Sequence, residues 1–181
     1  MRRYLFVLLT LFVLGGCSSL PENLTAKSPN LITDFSLWTS QVDTYQDDVR
    51  LGGVIAKVSN LESQTRLEVV NMPINDVAKP DISTDAKGRF VVYVDGFLDP
   101  VTYAQGRLIS VVGKAKGVEQ AKVGESKHNM PVMHAYGEHL WRIEEWVAID
   151  RSGSFLDDCH GLYCSEDRLG PSRGRVIKEV K

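Results

Sequence analysis

Apolar positions change rhythm three times along this chain. Residues 4–14 follow Arg2 and Arg3, carry no charge and are almost wholly apolar. In "LITDFSLWTSQVDTY", Leu31, Phe35, Trp38 and Val42 recur at helical spacing. That spacing predicts a short amphipathic helix, with Ser28 or Asn30 offering an N-cap. From Val49 the period drops to two. "TRLEVV" sets Leu67 and Val69 against Arg66 and Glu68, and "GRFVVYVDG" sets Phe90, Val92 and Val94 against Arg89, Tyr93 and Asp95. Both read as half-buried strands.

Further strands are expected in "VRLGGVIAKVSN", in "GRLISVVGKAKG" (ending near Gly113), and in "NMPVMHAYGEHLWRIEEWVAI" (one or two strands about a turn at Gly137). Gly52-Gly53 suggests a bend or bulge where a small barrel turns its corner. Asp99-Pro100 starts a turn in "FLDPVTYAQG". The class that follows is mainly β: a small antiparallel β-barrel, OB-like, of five or six strands with a short N-terminal helix. Residues 31–149 would form this domain. Residues 17–30 are polar with two prolines and read as a tether. Residues 150–181 read as a polar, flexible tail with little to bury.

The first apolar run is too short for a bilayer-spanning helix, which needs about 20 residues. With its basic start and small-residue end, residues 1–16 read as a cleaved secretory signal. Leu14-Gly15-Gly16-Cys17 resembles a bacterial lipobox. That resemblance implies a diacylglyceryl group on the Cys17 thiol, cleavage before it, and acylation of the new amino group. Ser18, in place of the Asp that retains lipoproteins at the inner membrane, implies delivery to the outer membrane. The mature chain would face the periplasm.

Losing residues 1–16 leaves 165 of 181 residues, with 19 basic against 23 acidic side chains, a formal charge of −4. That balance disfavours nucleic acid as a partner. Cys159 and Cys164, in "DDCHGLYCSE", are expected to form a disulfide in an oxidising periplasm. The closed loop is short, so its entropic stabilisation is about 2 kcal/mol. A metal reading would recruit Asp157, Asp158 and His160, but Cys-x₄-Cys is not the usual zinc spacing and no second cysteine pair completes a site.

The ordered set "LGGVIAKV", "TRLEVVNMPIN", "AKPDI", "GRFVVYVDGFLDPVTYAQGRLISVVGKAKG" and "HLW", between Leu51 and Trp141, resembles the Slp family of outer-membrane lipoproteins. The likeness implies an outer-membrane location and a starvation, stationary-phase or envelope-stress context. It implies no catalytic residue and no cofactor. Past about Val147 the chain departs from the aromatic, Gly- and Pro-rich tails of the family.

His128, His134 and His139 stand within twelve residues, near Glu125, Glu138, Glu144 and Glu145. A metal site or a pH sensor is the sharp reading and surface histidines the bland one. Their spacings match no common ligand motif. There is no G-x-S-x-G elbow and no phosphate-cradling loop, so catalysis is not expected. Tyr93, Tyr103, Tyr136 and Trp141 could form an aromatic platform for a glycan or peptide, although aromatics in strands more often pack. Arg168, Arg173, Arg175, Lys178 and Lys181 give the tail a basic end that could touch lipid phosphates. The expected partners are the outer membrane, through the lipid anchor, and an envelope protein or glycan. The alternative is a scaffolding lipoprotein without a ligand, and a more distant one is a metal-dependent envelope enzyme.

Overall fold

The computed structural model describes residues 19–149 and 174–181. They belong to two compact units, one running to Leu140 and one beginning at Trp141. The first opens with a single 3₁₀ turn at Glu22–Leu24, then β1 (Leu31–Ile32), α1 (Phe35–Ser40), β2 (Asp48–Asn60), β3 (Gln64–Met72), β4 (Gly88–Asp95), β5 (Leu108–Val123) and β6 (Ser126–Trp141). The second holds β7 (Ile143–Ile149) and β8 (Gly174–Val180). Among the described residues, no helix is long and apolar enough to cross a membrane.

The main sheet runs β1-β2-β3-β4-β6-β5, with an additional pairing of β2 to β5. Hydrogen-bonded neighbours followed from β2 through β3, β4, β6 and β5 therefore lead back to β2. The β2–β3, β3–β4 and β2–β5 ladders are antiparallel, and β4–β6 is parallel. β2 serves two neighbours: Gly52 lies opposite Met72 on one side and opposite Ser110 on the other. Its register to β3 slips between Ile55 and Lys57, beyond the glycine pair where a bend or bulge is expected; Gly52 and Gly53 themselves stay in register with Met72 and Asn71. Gly53 is instead needed for a close approach of backbones, because a Cβ there would overlap the carbonyl of Val70.

Leu67, Val69, Phe90 and Val92 are all fully buried, as the alternation predicts, but Glu68 and Val91 between them are buried as well, so neither strand is simply half-buried. They enclose one core with Leu51, Ile55, Ile109, Val111 and Met133, and Phe35 and Trp38 of α1 join it. Trp38 meets Phe90 edge-on at 6.2 Å between ring centroids. The opposite face of β4 is covered too. Val91 packs with Ala121, Met130 and Val132 in a second cluster contributed by the far halves of β5 and β6.

The structure departs from the sequence reading in several elements. The helix is only Phe35–Ser40, capped by Asp34, whose Oδ1 accepts from Leu37 N at 2.8 Å. Leu31 is instead in β1, paired parallel with Asp48. β5 does not end near Gly113 but continues to Val123, and β6 passes through Gly137 without a turn. Residues 174–180 of the expected flexible tail form β8, antiparallel to β7 from Ile143↔Val180 to Ile149↔Gly174. Its apolar positions Val176, Ile177 and Val180 were outweighed in the sequence by the charges between them.

Candidate functional site

Asp48, the first residue of β2, has no exposed surface, which is costly for a carboxylate unless it is well partnered. Its Oδ2 accepts from the backbone N–H groups of Lys27 (2.7 Å) and Ser28 (2.6 Å) and from the Tyr136 hydroxyl of β6 (2.7 Å). Oδ1 has no hydrogen bond of good direction, but Lys114 Nζ of β5 lies 3.0 Å away. Burial pushes the carboxyl up; the bonds from Tyr136, Lys114, Ser28 and Lys27 outweigh it and hold it below its ordinary value of 3.8. Lys114 is raised, chiefly by its bond to Asp48. The Lys27 ammonium sits over the Tyr136 ring, 4.1 Å from its centroid.

This node fixes part of the segment whose polar, proline-bearing sequence predicts a tether. Leu24 is fully buried, and its carbonyl accepts from Arg50 Nη1 at 3.2 Å. Asn23 donates its side-chain amide to the carbonyl of Glu138. Gly137 leaves room for this, since a Cβ there would overlap the Asn23 carbonyl. Residues 22–28 are polar enough to read as a linker, yet two of their backbone amides converge on one buried acceptor. Only the pairing "DD" before the strand hinted at it.

The pH dependence follows from the direction of the Asp48 shift. A carboxyl held lower in the folded than in the unfolded state adds stability above its ordinary value of 3.8, and loses it as pH falls below that. The stability advantage of the native protein over an Asp48→Asn variant should therefore shrink as pH drops through and below 3.8. Thermal melts of the pair between about pH 6 and pH 2 check this; an advantage that stays constant would contradict it.

The three histidines do not converge. All lie along β6, where six extended residues separate His128 from His134 by about 20 Å and five separate His134 from His139 by about 17 Å. His134 Nε2 is 2.9 Å from Asp95 Oδ1. Burial lowers the pKa of His139. No group of three or more His, Cys, Asp or Glu among the described residues is arranged to hold a metal ion.

The tyrosines are engaged separately. Tyr93 donates to Glu119 Oε2 (2.7 Å), Tyr136 to Asp48, and Tyr103 reaches Glu138 Oε1 at 3.5 Å. Trp141 belongs to the second unit. Glu119 also takes Arg66, from Nε at 2.9 Å and Nη2 at 2.5 Å, while Arg66 Nη1 lies 2.7 Å from the buried Glu68. Those bonds outweigh burial and raise the Arg66 pKa, so this network staples β5 across β3 and β4. In the ribbon, Lys178 pairs with Glu145 (2.8 Å) and Lys181 with Glu144 (2.7 Å), so two of the basic tail residues are balanced by β7. An open groove of about 440 Å³ is lined by Phe35, Thr39, Arg89, His128 and Met130, among others. Cys17, Asp157, Asp158, Cys159, His160, Cys164, Arg168 and Arg173 lie outside the described residues.

Comparison with known proteins gives these features a setting. The model of the outer membrane lipoprotein Slp family matches residues 14–158, beginning three residues before Cys17 and reaching past the block that carried the resemblance. An uncharacterised lipoprotein of Escherichia coli K12, YeaY, is 32% identical over 136 residues, covering 75% of this chain and 70% of its own. The outer membrane protein Slp of the same organism is 29% identical over 172 residues, covering 93% and 90%. An uncharacterised protein of Haemophilus influenzae is 30% identical over 166 residues, covering 91% and 90%. A small single-stranded DNA-binding protein of Streptomyces coelicolor overlaps 52% of this chain and 94% of its own at 16% identity, with a TM-score of 0.36, too slight a likeness to bear on either chain's function.

Proposed function

Because the chain belongs to the Slp family of outer membrane lipoproteins, and so is a lipid-anchored protein of the outer membrane, we propose that it holds a non-catalytic β domain on the periplasmic face, where it binds an envelope component or partner protein. In this reading Cys17 carries the lipid, residues 1–16 are removed, and the ring of pairings is an OB-like closed barrel. Cys159 and Cys164 are oxidised to a disulfide in that compartment. The setting is starvation, stationary phase or envelope stress.

One observation carries the binding role. β7 and β8 form a two-stranded sheet on which Ile143, Trp146, Val147 and Val176 are exposed. A two-stranded ribbon is marginal in water by itself, and aromatic and aliphatic side chains on it favour a partner surface. The non-catalytic part is supported by the engagement of Tyr93, Tyr136 and His134 in structural pairs. A photo-crosslinking amino acid in place of Trp146, activated in living cells, should give a reproducible adduct with one envelope component. An unvarying absence of adducts from Trp146 and Val176 alike would leave a scaffold without a ligand.

A further inference from the structure

We infer that the end of the first unit bearing Leu61, Phe97 and Val101 lies against the lipid leaflet that holds the anchor, with Phe97 and Val101 entering its acyl region. This rests on the reading of Cys17 as the lipidated residue. Phe97 is 72% exposed, Val101 82% and Leu61 48%. Single exposed apolar residues need no explanation, but these sit on two loops bound to one another. Gly96 N donates to Ser63 O at 2.9 Å, and Asn60 Nδ2 to Leu98 O at 3.2 Å. Thr65 Oγ1 accepts from Leu98 N at 2.9 Å.

The loop from 96 to 107 is built to hold those side chains outward. Leu98 and Tyr103 turn inward and pack on the core. Asp99 accepts from Val101 N and from Thr102 Oγ1, both at 3.0 Å, and its carbonyl accepts from Tyr103 N at 2.9 Å. Backbone groups that are already bonded cost little when water leaves, which is what an apolar leaflet demands of a protein surface.

The course of the N-terminal segment supplies the occupant. β6 runs parallel to β4, so Glu138 lies beyond Tyr136 in the direction in which β4 delivers residue 96. Lys27 and Ser28 are held at Asp48 beside Tyr136; Asn23, earlier in the chain, is held at Glu138, whose carboxylate meets Tyr103 of the 96–107 loop. From Ser28 back to Asn23, the chain therefore climbs toward the loop that carries Phe97 and Val101. Six residues separate Asn23 from Cys17, a span of at most about 21 Å. A lipid on Cys17 brings the leaflet to this end of the domain, whereas α1 covers the start of β4 at the other, with Phe35 against Gly88.

The test uses the full lipoprotein inserted by its own anchor into phosphatidylethanolamine–phosphatidylglycerol vesicles, some with bromine near the carbonyl end of the acyl chains. Phe97→Trp and Val101→Trp are compared with Leu37→Trp, on an exposed position of α1, each relative to the unsubstituted chain. Bromine should reduce the added emission of the first two at least about twofold and leave that of Leu37→Trp unchanged. If the vesicles carry the protein on flotation but all three are quenched alike or none is, the inference fails and the anchor stands. If the protein does not float, the reading of Cys17 and the inference fail together. Added emission that responds only to protein density would place a second copy on this surface and overturn the lipid contact.

Discussion

Cys17→Ser should empty the outer-membrane fraction of this protein and leave the unlipidated form with the alkaline-soluble material. The serine hydroxyl keeps the size of the thiol but not the nucleophilicity that lipid transfer needs. Each buried CH₂ is worth about 0.8 kcal/mol and a single acyl chain binds only marginally, so the three chains of a mature lipoprotein separate near-permanent attachment from none. Two loop side chains such as Phe97 and Val101 cannot replace them. Fractionation followed by alkaline washing and flotation measures this directly, and a variant that still floats would show that attachment does not run through Cys17.

Trp38→Ala should destabilise the first unit by about 3–5 kcal/mol, the cost of emptying a large aromatic site in a packed core. Trp38 is fully buried against Phe90 and closes the core beneath α1. For a domain stable by roughly 5–15 kcal/mol, that is a large share, visible as a fall in melting temperature of about 10–20 °C. Trp38→Phe should cost much less. The buried Trp38 indole N–H finds no hydrogen-bond partner among the described residues, so the smaller ring gives up some packing but also removes an unsatisfied donor. Equal losses for the two variants in thermal melts would contradict this account of the site.

The features written in the sequence were those set by period and by single special residues. Alternation located Leu67, Val69, Phe90 and Val92 on one face, although it did not show that Glu68 and Val91 on the other face are buried too. Gly52-Gly53 marked a close approach in β2, because the Val70 backbone passes too near Gly53 for a Cβ. What local pattern could not show was any contact made over a long stretch of chain. The docking of Lys27 and Ser28 on Asp48 spans about twenty residues, and that of Tyr136 on the same carboxylate spans 88. Leu31 has helical spacing to Phe35, yet its pairing with Asp48 draws it into β1. β8 was hidden for a related reason: its lysines read as a solvated end until β7 supplied Glu144 and Glu145 opposite them. The candidate histidines were clustered in sequence, and an extended strand is the conformation that spreads such a cluster farthest apart.

With residues 23–28 fastened to the first unit, a lipid on Cys17 would hold the domain close to the outer membrane rather than on a free tether. The decisive measurement is amide hydrogen exchange at Lys27 and Ser28 in the native lipoprotein, with Gly137→Ala as the contrast because the added methyl displaces Asn23. Slow exchange at both amides in the native protein, accelerated toward that of an unstructured chain in Gly137→Ala, is the predicted result. Exchange in the native protein already as fast as in an unstructured chain would contradict the claim.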